Sequence, residues 1–484
     1  MIIKNDYNNI TKIFDVVIVG SGPAGISLAL KLEKLNINSC LIEAGDRYYS
    51  EESQNYYKGK TNDDFPVKLD EVRLRQFGGT MGVWGGTCKT LDSYDFEKWP
   101  IKKTSIDPFL LEACEILEVN SDFKEKELSS DIKLVEFQGS KVRFGEKYYD
   151  HISNSKHIHL ILNSAAILLI QKNQKIEGVN FFLQDKKNIF SVKAKIFVLA
   201  TGGIENSRIL LIHNQKNTIN NPIKDLPVGK YWFEHPVKFS GTAILNKTFT
   251  NKLIHHNFNK LSYGFGTSRD SVTLSFSPSI DFIKKNKIFN SCIFVTFDFR
   301  ENKNLRDQII NLSCVAPNLA KNFFKMYKLN LLCDAIIHSQ WEQEPNYYNQ
   351  IFLSASSKDN YGLPRVEIKN KYSSLTYKTI KLSMENLGRY FIQSEAGRIK
   401  LENFFLNESE FSKKPNEGGH HHMGGTIMGN DINKSVVDSN LKVHNISNLF
   451  VAGSSVFPTG GYANPTLTII QLSLRLGDHL SKIL

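Results

Sequence analysis

Cysteine is scarce and badly spaced for chemistry. The six cysteines, Cys40, Cys88, Cys114, Cys292, Cys314 and Cys333, are scattered over 484 residues without a C-x-x-C pair. That pattern gives no support to a zinc ribbon or a thioredoxin-like motif and favours a reducing, cytoplasmic setting. No apolar run approaches the roughly 20 residues a membrane-spanning helix needs. The first residues, MIIKNDYNNITKIFDVVIVG, show neither a separate apolar core nor a small-residue cleavage site. They read as the lead-in to a buried strand rather than as a secretory signal. Clustered positive charge is missing as well. Lys+Arg 60 against Asp+Glu 49 leave a net +11, but the basic residues are dispersed, without the stripe that nucleic acid would select. Pro-rich linkers, low-complexity segments and internal repeats are absent too, so the length implies two tightly joined domains.

What is present begins with a short branched apolar run, Phe14 to Val19, suited to a strand buried on both faces. It enters GSGPAG at 20–25 and then ISLALKLEKLN, where Ile26, Leu30 and Leu35 are expected to share a helical face. Gly20 permits the tight turn, Gly22 lets main chain approach a pyrophosphate, and Gly25 lets the helix lie close to the strand. The helix N-terminus offers free N–H groups to phosphate. A second run, SCLIEAG, ends at Glu43, where a carboxylate suits a ribose. The motif alone does not choose between FAD and NAD. Residues 158–203 read as a β-meander returning to a strand, IFVLATGG, that stops at a glycine pair. Such a return brings a second segment, Ala200 and Gly202 with a helix from about Ile204-Glu205-Asn206, to the same nucleotide.

Between these lies RLRQFGGTMGVWGGTC, residues 73–88. Gly78, Gly79 and Gly85 around Trp84 let main chain lie flat against a planar ligand; a large aromatic is a poor choice for a mobile surface loop. Near the C-terminus stands GGHHHMGGTIMG. An internal run of three histidines is not a purification tag. A metal is not expected there, because adjacent side chains seldom converge on one ion and no carboxylate or cysteine cluster accompanies them. In ANPTLT, Asn464 reads as a helix N-cap with Pro465 at the first helical position.

Taken in order, residues 20–25 with Glu43, FGGTMGVWGG, ATGGIENSR, VGKYWFEHP, HHMGGTIMG and NLFVAGSSVFPTGGYANPTLT resemble the glucose–methanol–choline (GMC) oxidoreductases. The HxGGT and ANPTLT pair looks most like the sugar-oxidising branch. The resemblance implies an α/β fold with two domains: a Rossmann-like FAD domain from 1–100, 157–235 and 415–484, and an antiparallel-sheet substrate domain from 236–414. Residues 101–156 form a variable insert. Within 236–414 the alternating stretches SVTLSFSP, SCIFVTFDF and NQIFLSAS suit antiparallel strands with one face toward the flavin.

The resemblance also implies roles. His422 aligns with the family's active-site histidine and Asn464 with its partner position. His420 and His421 are left as structural candidates near FAD or neighbouring loops. Gly453, Pro465 and Thr466 would bring main chain and a helix N-terminus to the flavin. Some relatives attach FAD through a histidine in the FGGTMGVW loop; Val83, Thr80 and Met81 offer none, so FAD is expected to be non-covalent. The implied reaction is oxidation of a CH–OH group of a sugar or polyol, with the electron acceptor open. Rival readings are the flavin subunit of a membrane dehydrogenase serving a cytochrome partner, and a non-catalytic binding protein on the same fold. Gln343, Asn346 and Arg365 are candidates either for substrate contact or for strand-end structure.

Overall fold

The computed structural model describes residues 13–62, 65–183, 188–246, 271–298, 335–411 and 419–484. Cys314, Cys333, Gly418 and the residues before Ile13 lie outside that range.

Phe14–Val19 is fully paired as the centre of a five-stranded parallel sheet. The order is Leu449–Val451, Ala194–Leu199, Phe14–Val19, Ser39–Ile42, Ile158–Ile161. Its strands are almost wholly buried, as continuous apolar runs between covered faces require. Helices Pro23–Lys34 and Thr466–Leu480 pack on one another beside it. Gly477 permits that approach, since a Cβ there would lie 2.5 Å from Lys31 Cγ. The inward face of Pro23–Lys34 is Ile26, Leu28, Ala29 and Leu32. Leu35 is instead the C-cap and 37% exposed, because the helix ends before it can join that face.

Two further expectations shift. Ile158–Ile161 is not part of the meander but the edge of the parallel sheet. The meander proper is Ser164–Lys172, Lys175–Leu183 and Ile189–Val192. The following helix begins earlier than read, at Gly202, and runs to Lys216. An apolar run of four residues cannot by itself announce which sheet it joins.

The second large unit is a seven-stranded antiparallel sheet. Its order is Gly397–Leu401, Val237–Leu245, Ala335–Trp341, Ser291–Asp298, Ser271–Pro278, Ile132–Val135, Glu125–Glu127. The last two strands come from within 101–156. One face of the sheet, including Leu274, Phe276, Val295 and Ile337, is covered by Ile380, Met384, Leu387 and Phe391 of helix Ser374–Gln393. Period-two alternation sends Cys292 and Phe294 to the other face, where they meet Phe137 and Tyr462. That second contact joins the antiparallel sheet to the loop before the final helix. Among the described residues no helix is long and apolar enough to cross a membrane.

Candidate active site

A cavity of about 600 Å³ runs between the parallel sheet and the loops at its C-terminal edge. That edge is where open α/β sheets bind ligands, and the volume suits a cofactor-sized molecule. Gly20, with φ 104°, turns the chain out of the first strand. The glycines then divide into two kinds. A Cβ at Gly20 would stand 2.5 Å from Ala200 O, and one at Gly25 only 1.9 Å from Gly20 O. Those positions are glycine because main chain is already there. A Cβ at Gly22, Gly85 or Gly202 would meet nothing within 4 Å, and all three line the cavity. They leave room for something that is not protein.

Helix Pro23–Lys34 has no side-chain cap at its N-terminus, so its first N–H groups point into the cavity region unclaimed. Glu43 closes the turn: its carboxylate accepts from Ser21 N–H at 3.0 Å, Ser21 Oγ at 2.7 Å and Gly45 N–H at 2.8 Å. Trp84 lines the cavity with Gly79 and Gly85, and its indole N–H donates to Val142 O at 2.8 Å. This anchored ring is no mobile loop residue. Ala200, Gly202, Gly453, Pro465 and Thr466 also line the cavity.

Gly25, Gly78 and Asn206 stand behind the lining and shape it. Gly78 N–H donates to Ser21 O, tying the glycine-rich insert to the phosphate turn. Asn206 accepts from Thr201 N–H and Oγ, and donates to Ala452 O and Ser455 Oγ. It thus clasps the two segments that bracket the cavity.

The three histidines all line the same cavity, as does Asn464. His422 is buried, its ring stacked near Trp232 with centroids 5.9 Å apart. Neither of its ring nitrogens has a hydrogen-bond partner. Burial first, then the positive charge of Arg73 and the neighbouring His420, push its pKa down to about 3. The imidazole is therefore neutral. His421 Nδ1 lies 2.9 Å from Nδ1 of His235. Burial lowers the His235 pKa to about 4, and burial, then His235, lowers that of His421 as well.

Asn464 is not the helix cap its sequence context suggests. The last helix starts at Thr466 with Pro465 as its N-cap and no side-chain cap bond. The Asn464 amide instead donates to Thr87 Oγ1 at 2.8 Å and accepts from Gln340 Nε2 at 3.1 Å. Two long-range partners outcompete the local cap and leave the helix N-terminus open to the cavity.

Arg73 and Arg208 share Glu205, and Arg208 also pairs with Asp359 at 2.5 Å. Burial opposes charge on Glu205, but Arg208 and Arg73 together hold its carboxyl below the usual range. Gln343, Asn346 and Arg365 do not reach the cavity. Gln343 donates to Asn370, Asn346 accepts from Tyr348 N–H, and Arg365 donates to Asn55 and Lys58 carbonyls. These are structural roles.

Sequence reasoning missed Arg73, Thr87, His235 and Gln340 as parts of the site. Arg73 and His235 stood inside quoted motifs, yet no spacing ties His235 to a residue 186 positions away. Among the described residues no group of three or more His, Cys, Asp or Glu side chains is arranged to hold a metal ion.

The chain is similar to known proteins in sequence and in fold. The sequence profile for GMC oxidoreductase matches residues 348–473, and that for lycopene cyclase protein matches residues 15–63, the first strand–turn–helix. The chain is 25% identical over 333 residues to the fructose dehydrogenase large subunit of Gluconobacter japonicus, covering 66% of this chain and 53% of that one. It is 25% identical over 319 residues to 2-methyl-1,2-propanediol dehydrogenase of Mycolicibacterium austroafricanum, covering 64% and 52%. The match thus spans about half the length of these relatives. Among solved structures, pyridoxine 4-oxidase from Mesorbium loti superposes with a TM-score of 0.64 at 14% identity, covering 96% of this chain and 99% of that one. Formate oxidase gives 0.60 at 13% identity, with 98% of each chain covered. The ordered motifs, the parallel sheet joined to an antiparallel one, and these matches together make the chain similar to the GMC oxidoreductases in sequence and in fold.

Proposed function

We propose that the protein is an FAD-dependent oxidoreductase that oxidises a CH–OH group of a sugar, sugar derivative or polyol. One observation carries the reading: a single cavity holds a dinucleotide turn at one end and His422 with Asn464 elsewhere in its lining. The residues fit FAD. Gly22, Gly85 and Gly202 form a cradle into which a Cβ would project without contact, and the His422 nitrogens are buried and unpartnered. Gly22 and the helix N-terminus would hold the pyrophosphate, Glu43 the ribose, and Trp84 with Gly79 and Gly85 the flavin side. Bound there, FAD would supply the acceptor for the hydride.

The chain's own part is the proton and the orientation. His422 enters neutral and takes the hydroxyl proton on a ring nitrogen. Asn464 cannot take it; its amide, fixed by Thr87 and Gln340, holds the substrate oxygen in line. Both curated relatives are named for substrates with several hydroxyls, which supports the carbohydrate or polyol choice. One of them is named as a large subunit, which supports a reading in which this chain works with a partner subunit.

The visible spectrum, recorded before and after anaerobic addition of pooled sugars and polyols, tests the proposal. Flavin bands that bleach support it; protein that takes up no flavin overturns it. His422→Ala should slow substrate-driven flavin reduction by at least ~10²-fold, the usual reach of a general base. Acid precipitation should release the flavin to the supernatant, since Thr80, Met81 and Val83 offer no linking side chain. Co-purification of a haem protein would support the partner-subunit reading.

A further inference from the structure

His235 and His421 are not used by the reaction as derived above, yet they are hydrogen-bonded to one another at the cavity wall that His421 lines. His235 is fully buried and comes from the segment just before strand Val237–Leu245. Its Nε2 lies 3.3 Å from Gly460 O. A carbonyl only accepts, so that nitrogen carries the hydrogen. Burial holds His235 neutral, and a neutral imidazole with a protonated Nε2 has a bare Nδ1. The Nδ1 of His421, 2.9 Å away, must then be the donor. The tautomer of His421 follows: hydrogen on Nδ1, lone pair on Nε2.

Among the described residues that lone pair has no taker. His421 makes no hydrogen bond through Nε2 among the described residues, and that atom is not one of the buried atoms left without a partner. The residue lines the cavity. A fixed acceptor on a cavity wall selects a ligand that brings a donor. We infer that His421, held by His235, accepts a hydrogen bond from a second hydroxyl of the substrate and so selects polyhydroxylated over monohydroxylated alcohols. This rests on the oxidoreductase reading above and adds a recognition residue to it, with His235 as the positioning residue. His422 keeps the proton; no bond is made or broken at His421.

Two measurements test it. Long-range proton–nitrogen correlation spectra of histidine-labelled holoprotein, assigned with His421→Gln, read the tautomer directly. A pyridine-like Nε2 and a pyrrole-like Nδ1 are expected at His421; the reverse would overturn the inference. The second uses the polyol that bleaches the flavin fastest and its deoxy analogues, each lacking one hydroxyl. In the wild type, one deoxy analogue should lose about tenfold in kcat/KM, the worth of about one well-made hydrogen bond. In His421→Phe that analogue and the parent should react alike, with the change in KM rather than kcat. His421→Gln, which keeps an acceptor oxygen, should restore part of the preference. Equal losses for every analogue in His421→Phe would overturn the inference. Should His421→Phe fail to fold, His235→Leu frees the tautomer and should weaken the same preference; an unchanged preference would count against it. If no alcohol bleaches the flavin, the oxidoreductase reading falls, and His421 is then judged by its tautomer resonance alone.

Discussion

The two sheets bring their functional groups to the cavity in different ways. The parallel sheet works through main chain: a glycine turn, an uncapped helix N-terminus and one carboxylate, Glu43, that lies 22 residues from the turn it closes. The antiparallel sheet works through side chains at long range. Gln340 reaches Asn464 across 124 positions, and His235 reaches His421 across 186. Main-chain devices need fixed local spacing, so they leave a motif. Side-chain devices need only that two strands end in the same place, and any spacing satisfies that.

The largest effect should separate the two kinds of glycine in the turn. Gly25→Ala would put a methyl 1.9 Å from Gly20 O, and backbone cannot yield cheaply; a loss of more than about 3 kcal/mol of stability is expected by denaturant melting. Gly22→Ala meets no protein atom. Its melt without flavin should match the wild type, while flavin affinity falls. A destabilised Gly22→Ala apoprotein would erase the distinction between packing glycine and cradle glycine.

Acid should act next, and through the histidine cluster. His422 and His235 have folded pKa values of about 3 and about 4 against an ordinary 6.5. The unfolded chain therefore takes up protons below pH 6.5 that the folded one refuses. Stability present above 6.5 is lost as pH falls toward 4, at about 1.4 kcal/mol per histidine per pH unit. His235→Phe should flatten part of that slope in thermal melts from pH 7 to 4. An identical slope would mean that the carboxylates, not this cluster, govern acid stability.

Gln340→Leu tests the reach of the antiparallel sheet. It removes the donor to Asn464 Oδ1 and to Tyr462 O, and should cost about 1–2 kcal/mol of stability with a lower kcat. A stability loss without any change in kcat would make Gln340 structural alone. The smallest effect belongs to Trp84→Phe, which keeps the aromatic face but drops the bond to Val142 O. About 1 kcal/mol is expected, read in melts and in flavin affinity.

Legibility followed the same division. The first strand, the turn, Glu43 and the meander could be read because period and glycine spacing are local signals. Where two local readings competed, tertiary contact decided. Asn464-Pro465 has the form of a helix start, yet the amide is taken by Thr87 and Gln340. Leu35 continues a plausible apolar face but falls just past the helix end. Ile158–Ile161 is too short to show that it pairs with Ser39–Ile42 rather than with the meander.

The sequence by itself determined the dinucleotide turn, the family to which the ordered motifs point, and the presence of histidines near Thr426. Each rests on residues close in the chain, where sterics and hydrogen bonding act without help from the rest of the molecule. Only the tertiary structure decided what those residues face. It gave His422 a buried, neutral ring beside Arg73, gave His421 its tautomer through His235 and Gly460, and gave Asn464 its orientation through Gln340. Burial and hydrogen-bond direction belong to neighbours in space, and a chain position alone carries neither.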